Sequence, residues 1–290
     1  MKGLYQRTIN LFFLSVSLLF LNACGKKIKQ TDDTLYSRHL QHSVKLHILH
    51  TPPPSDRNEF NLLILNDGQE MEKLRVRESL DSLYRAGRIL PLVIIGVEAG
   101  DREKEYGVAD KSDYLGRGQR AEFYDAFINN ELYPYAKKNS GVRKFQSVAI
   151  AGCSLGGLSA FDVAWNHPDK ISKVGVFSGS FWWRDLPLED SNYTDEKNRI
   201  MYSKLKASRK KPGLGYWFYA GAKEEKSDRD KDSIIDVIDD TKDIIALLEK
   251  KNVVVQGAVI YRELPDGEHN FETWSRVFPE FLVWAFGKNN

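Results

Sequence analysis

The sequence predicts an α/β protein built on a mostly parallel sheet of eight strands with helices on both faces. Three observations predict it. The runs Leu62-Leu63-Ile64-Leu65, Leu92-Val93-Ile94-Ile95 and Val148-Ala149-Ile150 are uninterrupted by polar residues, as in strands buried on both faces of a parallel sheet. Segments rich in Val, Ile, Phe and Tyr alternate with helix-period segments, the order that β–α–β crossovers need. Finally, 290 residues with 42% hydrophobic and 28% charged composition suffice for one large domain with an ordinary core.

Taken in order, residues 1–23 read as an export signal. Lys2 and Arg7 give a positive start, Leu11 to Leu21 is apolar, and Leu21-Asn22-Ala23-Cys24 closes the run. The apolar core is shorter than the roughly 20 residues of a membrane-spanning helix. Cys24 is placed as in a bacterial lipobox, with Asn22 a less usual residue at its position. That resemblance implies cleavage before Cys24, lipidation of its thiol, and an exported lipoprotein held to a membrane, facing the periplasm or the cell surface. A plain cleaved signal is the alternative. Loss of residues 1–23 removes two cations and takes the formal charge from +2 to zero, which leaves no electrostatic footprint for nucleic acid. With Cys24 carrying lipid, Cys153 has no disulfide partner, so burial alone must hold the core.

Residues 24–34 are polar and read as a lipidated tether, and 35–290 as the folded domain. Strands are expected near 35–41, 44–50, 60–66, 91–97, 146–152, 173–178, 215–221 and 254–262. Helices are expected near 69–85, 120–139, 154–166, 235–250 and 272–286. Pro52-Pro53-Pro54 marks a loop, and 184–214 is a polar insertion.

Ala151-Gly152-Cys153-Ser154-Leu155-Gly156-Gly157 carries G-x-S-x-G where an expected strand meets an expected helix. A serine on so sharp a turn projects its hydroxyl into solvent, and small residues at −2 and +2 let the turn close. The following helix points its amino end at that hydroxyl and favours negative charge there. Ser154 is therefore the expected nucleophile. A glycine-rich structural turn is the alternative, and the strand–helix context argues against it.

A serine needs a base to take its proton. His39, His42, His47 and His50 fall in the early strands or their turn, and His167 at a helix end before Pro168. His269 lies between the last strand and the last helix, where the order nucleophile, acid, histidine delivers the base. The orienting carboxylate belongs after the seventh strand, where Glu224, Glu225 and Asp228 compete. For the oxyanion, Leu155 supplies one backbone N–H. Gln69, in Asn66-Asp67-Gly68-Gln69, supplies the other unless that turn is an ordinary Asp-Gly bend.

With these residues in place, the chain resembles an esterase family of α/β-hydrolases that includes enterochelin-type siderophore esterases, esterase D, feruloyl and acetylxylan esterases and the antigen 85 mycolyltransferases. The resemblance spans nearly all of 35–286. It runs through Leu65-Asn66-Asp67-Gly68-Gln69, Arg102 with Glu105-Tyr106, Phe127 to Pro134, the Ser154 turn, His167-Pro168-Asp169, Ser178-Gly179-Ser180-Phe181-Trp182-Trp183 and the Gly267/His269 loop. It implies the three-layer α/β-hydrolase sandwich. It also favours Glu224 as the acid, three residues after the glycine ending the seventh strand, and Gln69 as the second oxyanion donor. Gly267-Glu268 stands where the family usually has Gly-Gly before the base.

Two further groups stand out. Trp182 and Trp183 follow the sixth strand, and are expected either to border the substrate or to anchor the 184–214 insertion. Asp228, Asp230, Asp232, Asp236 and Asp239 have calcium-loop spacing, but Ser233 replaces the glycine of the sharp turn and Asp239 the bidentate glutamate. A helix start capped by Ser233 is the alternative. The expected function is a serine ester hydrolase working through an acyl-enzyme with no metal or organic cofactor. Its expected partner is a small-molecule or saccharide ester, an acylated carbohydrate or siderophore-type ester. The rivals are an acyltransferase of the same fold and an inactive carbohydrate-binding surface lipoprotein.

Overall fold

The computed structural model of the protein describes residues 27–56, 59–209, 213–252 and 258–288. Strands β1 (Lys29–Ser37), β2 (His42–His50), β3 (Asn61–Asn66), β4 (Leu92–Val97), β5 (Val148–Cys153), β6 (Lys173–Phe177), β7 (Gly215–Gly221) and β8 (Val259–Leu264) form one sheet in the order β1-β2-β4-β3-β5-β6-β7-β8. The β1–β2 and β2–β4 pairs are antiparallel, and every other neighbouring pair is parallel. The helices are α1 (Val76–Arg85), α2 (Arg102–Glu105), α3 (Ala121–Phe127), α4 (Tyr133–Ser140), α5 (Leu155–Asn166), α6 (Asp195–Asn198), α7 (Ile200–Ala207), α8 (Asp236–Lys250) and α9 (Phe271–Phe286). This is the expected α/β-hydrolase architecture.

The apolar runs become the fully buried strands β3, β4 and β5. One core layer packs Val76, Leu80 and Leu83 of α1 with Val277, Phe281 and Leu282 of α9. The opposite layer gathers Tyr124, Phe127, Phe161, Ile244 and Leu248 from α3, α5 and α8. Spacing of 76, 80 and 83 puts one stripe of α1 inward. By contrast α5 is buried from Leu155 through Trp165, as suits a helix apolar on nearly every side.

Four expectations are corrected. Residues 29–34, read as tether, belong to β1 and pair with β2 from Lys29↔His50 to Thr34↔Lys45. The side chains of this edge strand are mostly exposed and polar, which blunts edge-to-edge pairing and removes any apolar pattern from the sequence. The helix expected from 69 starts at Val76, behind a 3-10 turn (Gly68–Glu70) and a left-handed Arg75 at φ 52°. The helix expected over 120–139 contains a π turn, Ile128–Leu132, between α3 and α4. Pro134 has no N–H for the preceding turn, and the widened turn absorbs the missing bond. The insertion 184–214 holds α6 and α7, too short for periodicity to reveal. The export signal, Cys24 and the first part of the expected last strand, up to residue 257, lie outside the described residues. Among the described residues no helix is long and apolar enough to cross a membrane.

Candidate active site

Ser154 caps the junction of β5 and α5 at φ 55°, ψ −125°, a strained backbone for a residue with a side chain. Its neighbours explain how the strain is held. A Cβ on Gly152 would lie 2.3 Å from the Gly156 carbonyl oxygen, and one on Gly156 would lie 2.7 Å from Asp67 Oδ2. Only glycine fits at either place. The Ser154 N–H donates to Phe177 O (2.8 Å), and Ser154 O accepts from the N–H groups of Gly157, Leu158 and Ser180. The Ser154 hydroxyl lies 3.5 Å from Ser180 Oγ. Adjacent Cys153 is buried, which pushes its thiol well above the ordinary range, so it offers no competing thiolate.

The candidate acid and base come together from two loops at the carboxyl edge of the sheet. His269 Nδ1 lies 2.8 Å from Glu224 Oε2, with the histidine side chain 40% exposed and the glutamate 1%. Glu224 Oε1 accepts from the Gly221 N–H (2.6 Å) and from Ser178 Oγ (2.5 Å). The loops touch directly: Lys223 N donates to Gly267 O (2.8 Å), and a Cβ on Gly267 would meet the Tyr219 hydroxyl at 2.2 Å. The Trp274 ring stands nearly perpendicular to the His269 ring, with centroids 5.0 Å apart. Glu268 is exposed and accepts from Asn270 Nδ2 (3.0 Å). Among the described residues His269 Nε2 has no hydrogen-bond partner, and Ser154 Oγ makes no hydrogen bond to it.

The other acid candidates are engaged elsewhere. Glu225 accepts from the Val237 N–H and so caps α8, the role expected of Ser233. Burial raises the Glu225 pKa, and nearby Asp236 and Asp240 add to the rise. Asp228 accepts from the N–H groups of Asp232 and Ser233.

The loop that carries Gln69 is tied to the turn that carries Leu155. Asn66 Nδ2 donates to Gly156 O (2.8 Å), and Tyr124 donates to Asn66 Oδ1 (2.6 Å). Arg102 grips left-handed Asp67 through Nε–Oδ1 at 2.8 Å and Nη2–Oδ2 at 2.9 Å. Leu155 opens α5, where a first-turn N–H has no acceptor within its helix, and Gln69 is second in the 3-10 turn. Arg102 Nη2 also reaches Cys153 O (3.4 Å) and the Tyr106 hydroxyl accepts from the Asp67 N–H (3.0 Å), so two residues that the sequence flags only as landmarks reinforce the tie between this loop and the Ser154 turn.

Of the tryptophans, Trp183 is 1% exposed beneath the guanidinium of Arg117, and its backbone pairs with Ile200 of the insertion. It anchors the insertion and presents no face to a ligand. Trp182 is half-buried and flanked by Arg117 and Arg184. The five aspartates do not converge as one set. Carboxylate oxygens of Asp228, Asp230 and Asp232 lie within 4.8 Å of one another, whereas Asp236 turns inward to the backbone and guanidinium of Arg229. Burial, followed by Asp232 and Asp230, pushes the Asp239 pKa up to about 6.

A sequence model of the family described as "Putative esterase" matches residues 37–285. The chain belongs to this family of carboxylic-ester hydrolases. It is 28% identical over 252 residues to the Bacillus subtilis (strain 168) protein "Uncharacterized protein YbbA", covering 83% of this chain and 92% of that one. The crystal structure of the enterobactin esterase FES from Shigella flexneri with enterobactin superposes with TM-score 0.69 at 22% identity, over 90% of this chain and 60% of that one. The chain thus spans about three-fifths of the length of the Shigella protein. Siderophore hydrolase EstB from Aspergillus nidulans superposes with TM-score 0.63 at 15% identity, over 87% and 93% of the two chains. At these identities the superpositions establish the shared fold.

Proposed function

We propose that this esterase is a serine hydrolase that works through an acyl-enzyme, with Ser154 as nucleophile, His269 as base and Glu224 as the carboxylate that orients it. One observation carries the reading. The Glu224–His269 pair at 2.8 Å leaves Nε2 unengaged, on the same sheet edge as the hydroxyl of the strained Ser154 turn. As Ser154 Oγ attacks the ester carbonyl carbon, His269 Nε2 takes its proton. The new oxyanion accepts from the Leu155 and Gln69 N–H groups, each such donor contributing roughly 10²–10³ in rate. Collapse expels the alcohol, which takes the proton from His269. Water then adds by the same route and releases the acid.

For substrate, half-buried Trp182 between two guanidiniums supports a flat or carbohydrate-bearing ester. The siderophore esters named for the structural neighbours support the same range. The lipobox-like Cys24 supports a lipid-anchored enzyme meeting its ester outside the cytoplasm.

A fluorophosphonate probe should label wild-type protein and not Ser154→Ala, whose turnover falls by about 10⁴ or more with its melting temperature unchanged. A labelled but fully active protein would refute the nucleophile. A panel of p-nitrophenyl esters, feruloylated and acetylated oligosaccharides and enterobactin ranks the substrates, and acylated product on added sugars would reassign the enzyme as a transferase. Metabolic fatty-acid labelling that survives Cys24→Ala would reject the anchor.

A further inference from the structure

Glu224 is contacted by a residue whose role the family resemblance leaves unassigned. Ser178 lies just past β6, is 1% exposed, and adopts φ 51°. Its N–H donates to Tyr219 O (2.8 Å), which fixes it against β7. Its hydroxyl touches two groups: Trp274 Nε1 at 2.8 Å and Glu224 Oε1 at 2.5 Å.

The chemistry of these three groups leaves one order for the protons. Indole Nε1 is only a donor, so Ser178 Oγ must accept from Trp274. Serine has a single hydroxyl proton, which then points to Glu224. Oε1 therefore takes two donors, Ser178 O–H and Gly221 N–H. Oε2 is left as an acceptor facing His269 Nδ1. The imidazole must carry its hydrogen on Nδ1, which leaves the Nε2 lone pair free. The direction of every hydrogen in the chain is set by an indole that has no acceptor capacity.

We propose that Ser178 is a positioning residue for hydrolysis. Its hydroxyl, polarised by Trp274, holds Glu224 in the one rotamer that keeps the His269 hydrogen on Nδ1 and leaves the Nε2 lone pair free. This rests on the reading of Glu224 and His269 as acid and base. A left-handed, non-glycine residue beneath the site accords with it, since such strain persists where the surroundings over-determine a position.

The test is a double-mutant cycle on a p-nitrophenyl ester, using Ser178→Ala, Ser178→Gly and Glu224→Gln in the full chain. Ser178→Gly relieves the positive φ, so it keeps the fold if alanine does not. Both Ser178 variants should lose about tenfold in kcat with KM little changed, whereas in the Glu224→Gln background the same changes should cost less than about twofold. The downfield proton resonance of the His269 Nδ1–H should move or broaden in both. A Ser178→Gly enzyme with wild-type kcat, or an equal loss in both backgrounds, would overturn the proposal. If instead Glu224→Gln alone keeps full activity, the reading of the acid fails, a result distinct from the failure of Ser178.

Discussion

Two histidine–carboxylate pairs in this protein are almost the same object. His42 Nε2 lies 2.6 Å from Glu105, and His269 Nδ1 lies 2.8 Å from Glu224. The rings are 32% and 40% exposed, and their carboxylates 2% and 1%. Each carboxylate also accepts from a glycine N–H, Gly100 in one case and Gly221 in the other. They differ at the second ring nitrogen. His42 Nδ1 is bonded to Ser43 O at 3.1 Å, while His269 Nε2 is unengaged among the described residues. A ring held at both nitrogens is a strut between β2 and α2. A ring held at one keeps its other nitrogen for a proton, the role proposed for His269. Pair geometry by itself therefore does not separate the two histidines; the unengaged nitrogen does, and the proposed role of His269 rests on it.

The sharpest way to break this comparison is to remove both rings. His269→Gln should cost roughly 10³–10⁴ in kcat for a p-nitrophenyl ester, with urea unfolding unchanged. His42→Gln should leave kcat within about threefold and instead cost about 1–3 kcal/mol of stability, because Glu105 is left buried without its partner. Equal losses of activity in the two variants would erase the distinction. Adjacent carboxylates give a second, smaller contrast. Glu224→Gln should lower kcat by about 10²–10³. Glu225→Gln should leave it intact and cost about 1 kcal/mol in urea denaturation, since Glu225 receives the Val237 N–H at the start of α8.

What the sequence revealed and what it hid divide along physical lines. Continuous apolar strands and the Ser154 turn were legible because each is specified by residues close in sequence: Gly152 and Gly156 close one bend, and Leu62 to Leu65 bury on both faces. His269 was legible from its place between the last strand and the last helix. Glu224 was separable from Glu225 only by family resemblance, because composition does not say which of two neighbouring carboxylates turns toward a loop 45 residues away. Ser178 and Trp274 were missed as actors. Their bond spans 96 residues, and no local pattern encodes a hydroxyl's distant partner. The polar face of β1 was hidden for the opposite reason: an edge strand is stabilised through its backbone ladder, and its side chains are free to look like a tether.

A third histidine yields the smallest effect and tests that last point. His47 Nδ1 lies 2.9 Å from Asp32 and Nε2 2.7 Å from Glu98, so it fastens β1 to the end of β4. Burial works to lower its pKa, but the hydrogen bonds to Glu98 and Asp32 outweigh burial and the net value stands above the ordinary 6.5. A raised value means that the folded state binds the proton more tightly than the unfolded chain does. The stabilisation is complete below pH 6.5 and disappears as pH rises through the folded value. Both partners are reached by solvent, and screening reduces the contribution to about 0.5 kcal/mol. Wild-type protein should accordingly lose about that much in urea denaturation between about pH 6 and pH 8, and His47→Gln should lose none of it. Ester hydrolysis at fixed pH should be the same in both. A His47→Gln protein with the wild-type slope would mean that the imidazole does not clasp the edge strand, and β1 would then owe its place to the backbone ladder and to the bonds of Gln30, Asp33 and Ser37 with Arg77, Tyr135 and Glu131.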